Sequence, residues 1–89
     1  MISDPFLKIL PSIDVHGYTS DEAVFIINEF INDNIKMGKY KIIVIHGKGL
    51  GILKKTVYFN FSKDKRVIRL YGDPFNLGIT ILELNSKTC

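Results

Sequence analysis

The chain has 89 residues, of which 46% are hydrophobic and 24% are charged, and its formal net charge is +3 at pH 7. These values indicate one globular domain with a modest core, and no apolar run reaches the roughly 18–20 residues of a membrane span. The single cysteine, Cys89, excludes an intramolecular disulfide and a cysteine-rich metal site. No signal-peptide pattern opens the chain. We therefore expect a cytoplasmic protein with no membrane contact, and the mild positive charge favours anionic partners.

The first predicted elements are a short strand and a long helix, which follow an irregular arm at residues 1–12. The strand covers residues 13–15. Thr19 and Glu22 have the spacing of a capping box, which predicts the start of a helix. Apolar residues on one broad stripe continue that helix over about residues 20–37.

A continuous apolar run at residues 40–45 predicts a second strand that is buried on both faces. A second helix follows and ends near residue 62. Its inward-facing apolar row consists of Leu50, Leu53, Val57 and Phe61. Further strands are predicted at residues 66–71 and 79–84, separated by a loop because Gly72, Asp73 and Pro74 interrupt the strand pattern. Residues 85–89 form a polar tail.

The predicted order β-α-β-α-β-β indicates a two-layer α/β fold. Two right-handed crossovers place both helices on one face of a four-stranded mixed sheet. The first two strands are parallel, and each ends in a His-Gly pair, at His16-Gly17 and His46-Gly47. Both pairs therefore lie at the carboxyl edge of the sheet, which is where ligands bind in open α/β sheets.

Two histidines and a carboxylate at this edge could form an acid–base site. Asp14 lies on the same face of its strand as His16, so the carboxylate is within reach of the imidazole. One ring, of His16 or His46, could remove a proton while the other donates one, as phosphodiester cleavage requires. The alternative is that both histidines are turn residues that hydrogen-bond to loop backbone. These three residues are weak evidence for a metal site, so we assign no metal ligands and no cofactor, while the sequence leaves the dependence of cleavage on a divalent metal open.

The second His-Gly corner leads into a basic, glycine-rich turn before the second helix. Glycines at this point let a backbone approach closely, and the N–H groups of a helix N-terminus bind anions. The candidate phosphate-binding residues are Gly47, Lys48, Gly49 and Gly51, with Lys54, Lys55 and Arg69 as supporting charges. The alternative is a tight strand-to-helix turn without a ligand. Ile52 and Phe59 face outward on the second helix and suggest a weak homodimer.

These motifs resemble the Smr (small MutS-related) domain family over about residues 13–84. The resemblance rests on residues 13–17, residues 45–54 and residues 78–84, in this order and spacing. It implies a fold similar to the C-terminal domain of translation initiation factor three, and a nuclease or nucleic-acid-binding role. It also implies that Asp14 and His16 form the catalytic motif and that His46, Gly47, Lys48 and Gly49 form a second motif at the nucleic acid backbone.

The third motif of that family usually reads Gly-Gly-x-Gly-x-Thr, whereas the run here from Phe75 to Thr80 keeps only Gly78 and Thr80. By resemblance, these two residues join the candidate phosphate-binding set. We expect an Smr-type endonuclease that cleaves or nicks RNA or DNA. The altered third motif favours the alternative, a nucleic-acid-binding or ribosome-associated module that does not cleave. A third hypothesis is a structural homo-oligomer.

Overall fold

The protein's structure, a computed structural model, describes residues 10–49 and 51–85. Within these ranges the chain forms four strands and two helices, in the predicted order. They are β1 (Ser12–Asp14), α1 (Ser20–Lys36), β2 (Lys41–Ile45), α2 (Ile52–Phe61), β3 (Val67–Asp73) and β4 (Asn76–Leu84). No helix in the described part is long and apolar enough to cross a membrane.

Three sequence-based expectations fall wholly or largely outside the described residues. They concern most of the N-terminal arm (residues 1–9), the place of Leu50 in the apolar row of α2, and the tail at residues 86–89 with Cys89. The last residues of the predicted arm are described. The carbonyl of Pro11 accepts a hydrogen bond from the amide of Ile43 at 2.9 Å, so the pairing with β2 begins before β1 itself.

The four strands form one mixed sheet in the order β1-β2-β4-β3. β1 and β2 are parallel, with Asp14 opposite Ile45, and β4 runs antiparallel to β2, with Ile79 opposite Ile45. β3 completes the sheet as the antiparallel partner of β4. The two-layer α/β fold with a four-stranded mixed sheet is therefore confirmed.

The core lies between the sheet and the two helices. It comprises Val15, Ala23, Ile27, Ile31, Ile42, Val44, Val57, Phe61, Val67, Leu82 and Leu84. The prediction that β2 is buried on both faces is wrong. Ile42 and Val44 are fully buried, but Ile43 and Ile45 on the other face are half-buried, because both helices cover the same side of the sheet.

The start of α1 has the predicted capping box. The Thr19 hydroxyl accepts a hydrogen bond from the amide of Glu22 at 3.2 Å, and the Glu22 carboxylate accepts one from the amide of Thr19 at 3.0 Å. The helix end is held by Gly38, whose φ of +77° closes the last turn. These contacts fix the point at which the chain leaves the sheet edge and enters α1.

The hairpin of β3 and β4 is longer than the sequence pattern predicts. The prediction that the strand breaks at residues 72–74 holds only at Pro74, where β3 has ended; it is wrong for the first two of these residues, because Gly72 pairs with Thr80 and Asp73 pairs with Asn76. Pro74 lies in the turn, where no ladder donor is needed. The Asp73 carboxylate accepts a hydrogen bond from the amide of Phe75 at 2.9 Å, and the Asn76 side chain accepts one from the amide of Gly78 at 3.0 Å. Side-chain contacts to the backbone therefore hold both sides of the turn.

Candidate functional site

The carboxyl ends of β1 and β2 bring the two His-Gly corners together. The amide of Val15 donates a hydrogen bond to the carbonyl of Ile45 at 2.8 Å, which fixes the register just before His16 and His46. Gly47 adopts a φ of +81°, and a Cβ atom added there would lie 3.4 Å from the Cβ of His16. The turn after β2 thus packs directly against the histidine after β1.

Asp14 and His16 form a close pair at this edge. The Nδ1 atom of His16 lies 2.6 Å from Oδ1 of Asp14, and the same oxygen accepts a hydrogen bond from the His16 amide at 3.1 Å. Because an ionised carboxylate only accepts hydrogen bonds, Nδ1 carries the proton and Nε2 is the ring nitrogen that can exchange a proton with a ligand. These hydrogen bonds, first of all the one from the ring, hold the pKa of Asp14 below its usual value.

Both members of this pair are open to solvent. The side chain of His16 is 68% exposed and that of Asp14 is 51% exposed. A ligand at the edge of the sheet can therefore reach the imidazole without any rearrangement of the backbone. The geometry suits a general base that is oriented by a carboxylate.

His46 is placed quite differently, since it is 5% exposed. Its Nδ1 atom lies 2.9 Å from the carbonyl oxygen of Gly47, and its Nε2 atom lies 2.8 Å from Oγ1 of Thr80. A carbonyl only accepts hydrogen bonds, so Nδ1 is the donor, and in the neutral ring Nε2 accepts from the Thr80 hydroxyl. Protein groups thus occupy both ring nitrogens, which favours a positioning role over proton transfer to a substrate.

Gly78 and Thr80 lie beneath the turn rather than on its surface. The carbonyl of Gly78 accepts hydrogen bonds from the amides of His46 at 2.9 Å and Gly47 at 3.0 Å. A Cβ atom added at Gly78 would lie 3.4 Å from the Cα of Gly47. Both residues of the third motif are buried, so they support the turn from below and offer little surface to a phosphate.

A groove of about 580 Å³ opens above this edge, between the loop after β1 and the loop after β2. Its described lining contains two lysines, Lys48 and Lys54, and no carboxylate. The lining residues are His16, Gly17, Tyr18, Thr19, Ser20, His46, Gly47, Lys48, Gly49, Gly51, Ile52, Leu53 and Lys54. At its floor, α2 starts after Gly51 without a side-chain cap, which leaves N–H groups that can bind an anion.

Two residues of the predicted phosphate-binding set lie away from this groove. Lys55 lines a separate depression between the two helices, together with Ser20 and Phe59. Arg69 lies on β3, which β4 separates from β2, and its Nη2 atom is 3.1 Å from the carboxylate of Glu83. The structure thus leaves Lys55 and Arg69, like the buried Gly78 and Thr80, outside the groove. The predicted residues that line it with His16 are Gly47, Lys48, Gly49, Gly51 and Lys54.

A metal-binding cluster is not part of this arrangement. Within residues 10–49 and 51–85, no group of three His, Cys, Asp or Glu side chains is placed to hold a metal ion. The two histidines diverge, because His16 faces solvent and His46 faces the interior.

The family model of the Smr domain matches residues 13–80, which contain both His-Gly corners and the buried Gly78 and Thr80. This chain belongs to the Smr domain family. It is 34% identical over 90 residues to Endonuclease MutS2 of Caldanaerobacter subterraneus, a match that covers 97% of this chain and 11% of that protein. It is 39% identical over 75 residues to Endonuclease MutS2 of Thermotoga maritima, covering 81% of this chain and 10% of that protein. The chain therefore spans about a tenth of the length of these curated relatives.

Solved structures of Smr domains have the same fold. The Smr domain of Thermus thermophilus MutS2 is 25% identical, with a TM-score of 0.80 over 85% of this chain and 99% of that chain. YdaL of Escherichia coli, a stand-alone small MutS-related protein, is 18% identical, with a TM-score of 0.76 over 96% of this chain and 78% of that one. At that identity, the likeness to YdaL shows the fold alone.

Within the Smr family pattern, the departures of this chain fall in the hairpin turn. Phe75 and Asn76 occupy the positions of the two missing glycines, and neither has a positive φ. The close backbone approach in this structure is made at Gly78, which is retained. The contact between β4 and the Gly47 turn is therefore made by the retained glycine and not by the two positions that differ.

Sequence reasoning missed two aromatic residues of this Smr domain's edge. Tyr18 lines the groove and is 47% exposed, and Phe75 at the hairpin turn is 95% exposed. Tyr18 follows His16-Gly17 directly, which was a usable signal for its placement at the site. Phe75 gave no such signal, because its position depends on how far β3 and β4 pair beyond the expected break.

Proposed function

We propose that this Smr domain cleaves the phosphodiester backbone of nucleic acid, with the Asp14–His16 pair as its acid–base centre. The observation that carries this proposal is the 2.6 Å contact between Oδ1 of Asp14 and Nδ1 of His16, in a pair open to solvent beside a basic groove. The names of its endonuclease relatives support a nuclease-type function at the family level.

The pair supplies a base in the correct orientation. With its proton on Nδ1, His16 uses Nε2 to take a proton from the attacking oxygen, which is the 2′-hydroxyl in RNA or a water molecule in either nucleic acid. That oxygen bonds to phosphorus as the bond to the leaving oxygen breaks, and the leaving oxygen takes a proton from water in the open groove. The Asp14 carboxylate stabilises the positive charge that His16 gains.

The glycine-rich turn supplies the phosphate contacts. Lys48 and Lys54 neutralise the substrate charge, and the N–H groups at the start of α2 face the same groove. His46 holds the turn in place through Gly47 and Thr80. The roles of Gly47, Gly49 and Gly51 in this proposal are conformational, because their lack of side chains lets a phosphate approach the backbone.

The direct test measures cleavage of labelled single-stranded and double-stranded RNA and DNA, with and without a chelator. Asp14→Ala and His16→Ala should each lower the cleavage rate by about 10²–10⁴-fold, with the fold unchanged by circular dichroism because both side chains are exposed. His46→Ala should lower the rate and the stability together. Full activity of the double variant Asp14→Ala, His16→Ala would refute the proposal.

Phosphate binding is tested by the salt dependence of affinity. Lys48→Ala should weaken binding to all sequences and reduce the slope of log K against log salt by about 0.7–0.9. Lys63→Ala is the matched control, because Lys63 is an exposed lysine just after α2, at the opposite end of that helix from the groove. An unchanged affinity and slope in Lys48→Ala would show that the turn does not bind phosphate.

The second candidate function is a nucleic-acid-binding or ribosome-associated module without cleavage. The burial of His46 favours it, since only one histidine then remains for proton transfer. Clear binding of RNA or DNA by the parent protein, with no cleavage under any condition, would decide for this function.

We also propose weak self-association through α2. Ile52 is 57% exposed and Phe59 is 86% exposed, and they are seven residues apart on the same side of the helix. Sedimentation should show a concentration-dependent increase in mass that Phe59→Glu reduces. A protein that stays monomeric at about 1 mM would exclude this self-association, because even a Kd of about 1 mM corresponds to a binding free energy of only about 4 kcal/mol.

A further inference from the structure

Phe75 is the most exposed of the large apolar side chains in the described part of the chain, at 95%. It is not on a loose loop, because its amide donates a hydrogen bond to the Asp73 carboxylate, and the amide of Gly78 donates one to the Asn76 side chain on the other side of the turn. Leu77, two residues on, is 62% exposed. An aromatic ring that is exposed to solvent on a fixed turn contributes little to the packing of the core, and it is available for contact with a ligand.

The turn that carries Phe75 lies at the same edge of the sheet as the Asp14–His16 pair. The carbonyl of Gly78 accepts one backbone hydrogen bond from the amide of His46 and a second from the amide of Gly47. Phe75 is three residues before Gly78, so at strand spacing it is within about 10 Å of that contact. The site and the ring are therefore within the span of a few nucleotides.

Tyr18 occupies the other side of the same edge. It is two residues after His16, it lines the groove, and it is 47% exposed. Because the sheet order is β1-β2-β4, Tyr18 after β1 and Phe75 before β4 flank the Gly47–Lys48 turn that follows β2. The edge thus presents an aromatic ring, a basic turn and a second aromatic ring in that spatial order.

We propose, on the basis of the function above, that the substrate at this edge is an unpaired strand whose bases stack on Phe75 and Tyr18. Alternating aromatic rings and positive charges are the usual means of binding single-stranded nucleic acid. A base within a duplex already has both faces stacked and offers none to a protruding ring. The substrate class is therefore single-stranded RNA or DNA, or an unpaired segment of either.

The charges at this edge favour a nucleic acid strand over an apolar protein surface. Lys48 and Lys54 line the groove together with Tyr18, and the described lining of that groove contains no carboxylate. Asp73, near Phe75, is half-buried and its carboxylate is bonded to the backbone of the turn. A hydrophobic partner would leave the two lysines without counter-charges, whereas the phosphates of a strand provide them.

The test measures binding of fluorescently labelled oligonucleotides, as single-stranded RNA, single-stranded DNA and duplexes of the same sequence. The parent protein should bind the single strands at least tenfold more tightly than the duplexes. Phe75→Ala should weaken single-strand binding by about 5-fold to 150-fold and leave duplex binding unchanged, since stacking on one base is worth about 1–3 kcal/mol. Phe75→Trp should restore it, and Tyr18→Ala should weaken it in the same way.

Tyr40→Ala is the matched control for loss of an exposed aromatic ring. Tyr40 is 67% exposed and precedes β2, so it lies at the opposite edge of the sheet. The Tyr40→Ala substitution should leave the affinity for single strands unchanged. Equal affinity of the parent and Phe75→Ala for single strands, or preference of the parent for duplexes, would overturn the stacking proposal. The cleavage proposal is tested separately, by the cleavage rates of the Asp14→Ala and His16→Ala variants.

Discussion

The Nε2 atom of His46 lies 2.8 Å from the hydroxyl oxygen of Thr80, and both residues are buried. This contact joins the end of β2 to β4, directly below the Gly47–Lys48 turn that lines the groove. It gives Thr80, the threonine of the third motif, a structural role as the partner of the second ring nitrogen of His46. A buried imidazole nitrogen without a hydrogen-bond partner would lower the stability. His46 and Thr80 therefore act as one unit that holds Gly47 in place.

Replacement of Thr80 by valine keeps the side-chain volume and removes the hydroxyl. We expect the free energy of unfolding to fall by about 1–3 kcal/mol, since a buried ring nitrogen loses its partner. Urea unfolding measures this change, and Thr80→Ser, which keeps the hydroxyl, is the control for the hydrogen bond. In the parent protein, ¹⁵N NMR should show the proton of neutral His46 on Nδ1. A proton on Nε2 would contradict the proposed arrangement.

Gly47→Ala tests the turn itself. The residue has a φ of +81°, and its added Cβ would contact the Cβ of His16 at 3.4 Å. A left-handed conformation costs a non-glycine residue about 1–2 kcal/mol, so stability should fall by at least that amount. Gly49→Ala is the control, because Gly49 has no atom near an added Cβ and no positive φ. Equal stability of the two variants in thermal or urea unfolding would show that the turn can relax.

Arg66 connects the turn before β3 to α1. Its guanidinium donates hydrogen bonds to Asp64 at 2.9 Å, to Asn32 at 2.9 Å and to Asn28 at 2.6 Å. Arg66→Ala should lower the free energy of unfolding by about 1–3 kcal/mol, and Arg66→Lys should not restore it because an ammonium lacks the planar fork. Lys65→Ala, at an exposed neighbour, should be neutral. A neutral Arg66→Ala would show that these contacts contribute nothing net.

The ion pair of Arg66 and Asp64 makes the stability of the fold depend on pH. The guanidinium of Arg66 holds the pKa of Asp64 below its usual value. A carboxyl whose pKa is lower in the folded state stabilises the fold above its unfolded pKa of about 3.9, and the contribution disappears as the pH falls through the folded value. The stability difference between the parent and Arg66→Ala should therefore be constant from pH 5 to 7 and shrink below about pH 4.

The sequence was sufficient for the fold because its signals were local. The capping residues Thr19 and Glu22, and the two His-Gly corners, determine where helices and strands begin and end. The sequence does not distinguish the residues of β2 that face the core from those on the other face, since Ile42 to Ile45 are all apolar. Only the sheet and its single helical layer decide which of them are buried.

The site was only partly predictable, for a similar reason. Asp14 is the last residue of β1 and His16 follows it by two residues, so the alternation of the strand, continued past its end, predicts that their side chains lie together. One of the two ring partners of His46, Thr80, is 34 residues away in sequence, and this contact depends on the register of β2 and β4. That register buries His46, which has the sequence signature of a catalytic histidine, against Thr80, and it also brings Phe75 to the edge.

The hydrogen bond of His16 to Asp14 can be tested through the carboxyl itself. The ring contact is the largest cause that holds the pKa of Asp14 below its usual value, and the amide of His16 is the next. His16→Ala removes the ring and keeps the amide, so the pKa of Asp14 should rise towards its usual value without fully reaching it. Carbon-13 NMR of the carboxyl group, titrated from pH 2 to 6, measures this shift.

The matched control is Tyr18→Ala, which removes a neighbouring exposed side chain and should leave the titration of Asp14 unchanged. Because the pKa of Asp14 is lowered in the folded protein, its pair with His16 stabilises the fold above about pH 4. This contribution is lost as the pH falls through the folded pKa of Asp14. In the parent protein Asp14 therefore stays ionised at every pH above about 5, and loss of cleavage between pH 5 and 7 must come from another group. An Asp14 pKa that is equal in the parent and in His16→Ala would show that the ring does not bond to the carboxylate in solution, and the carboxylate could then not orient the proposed base.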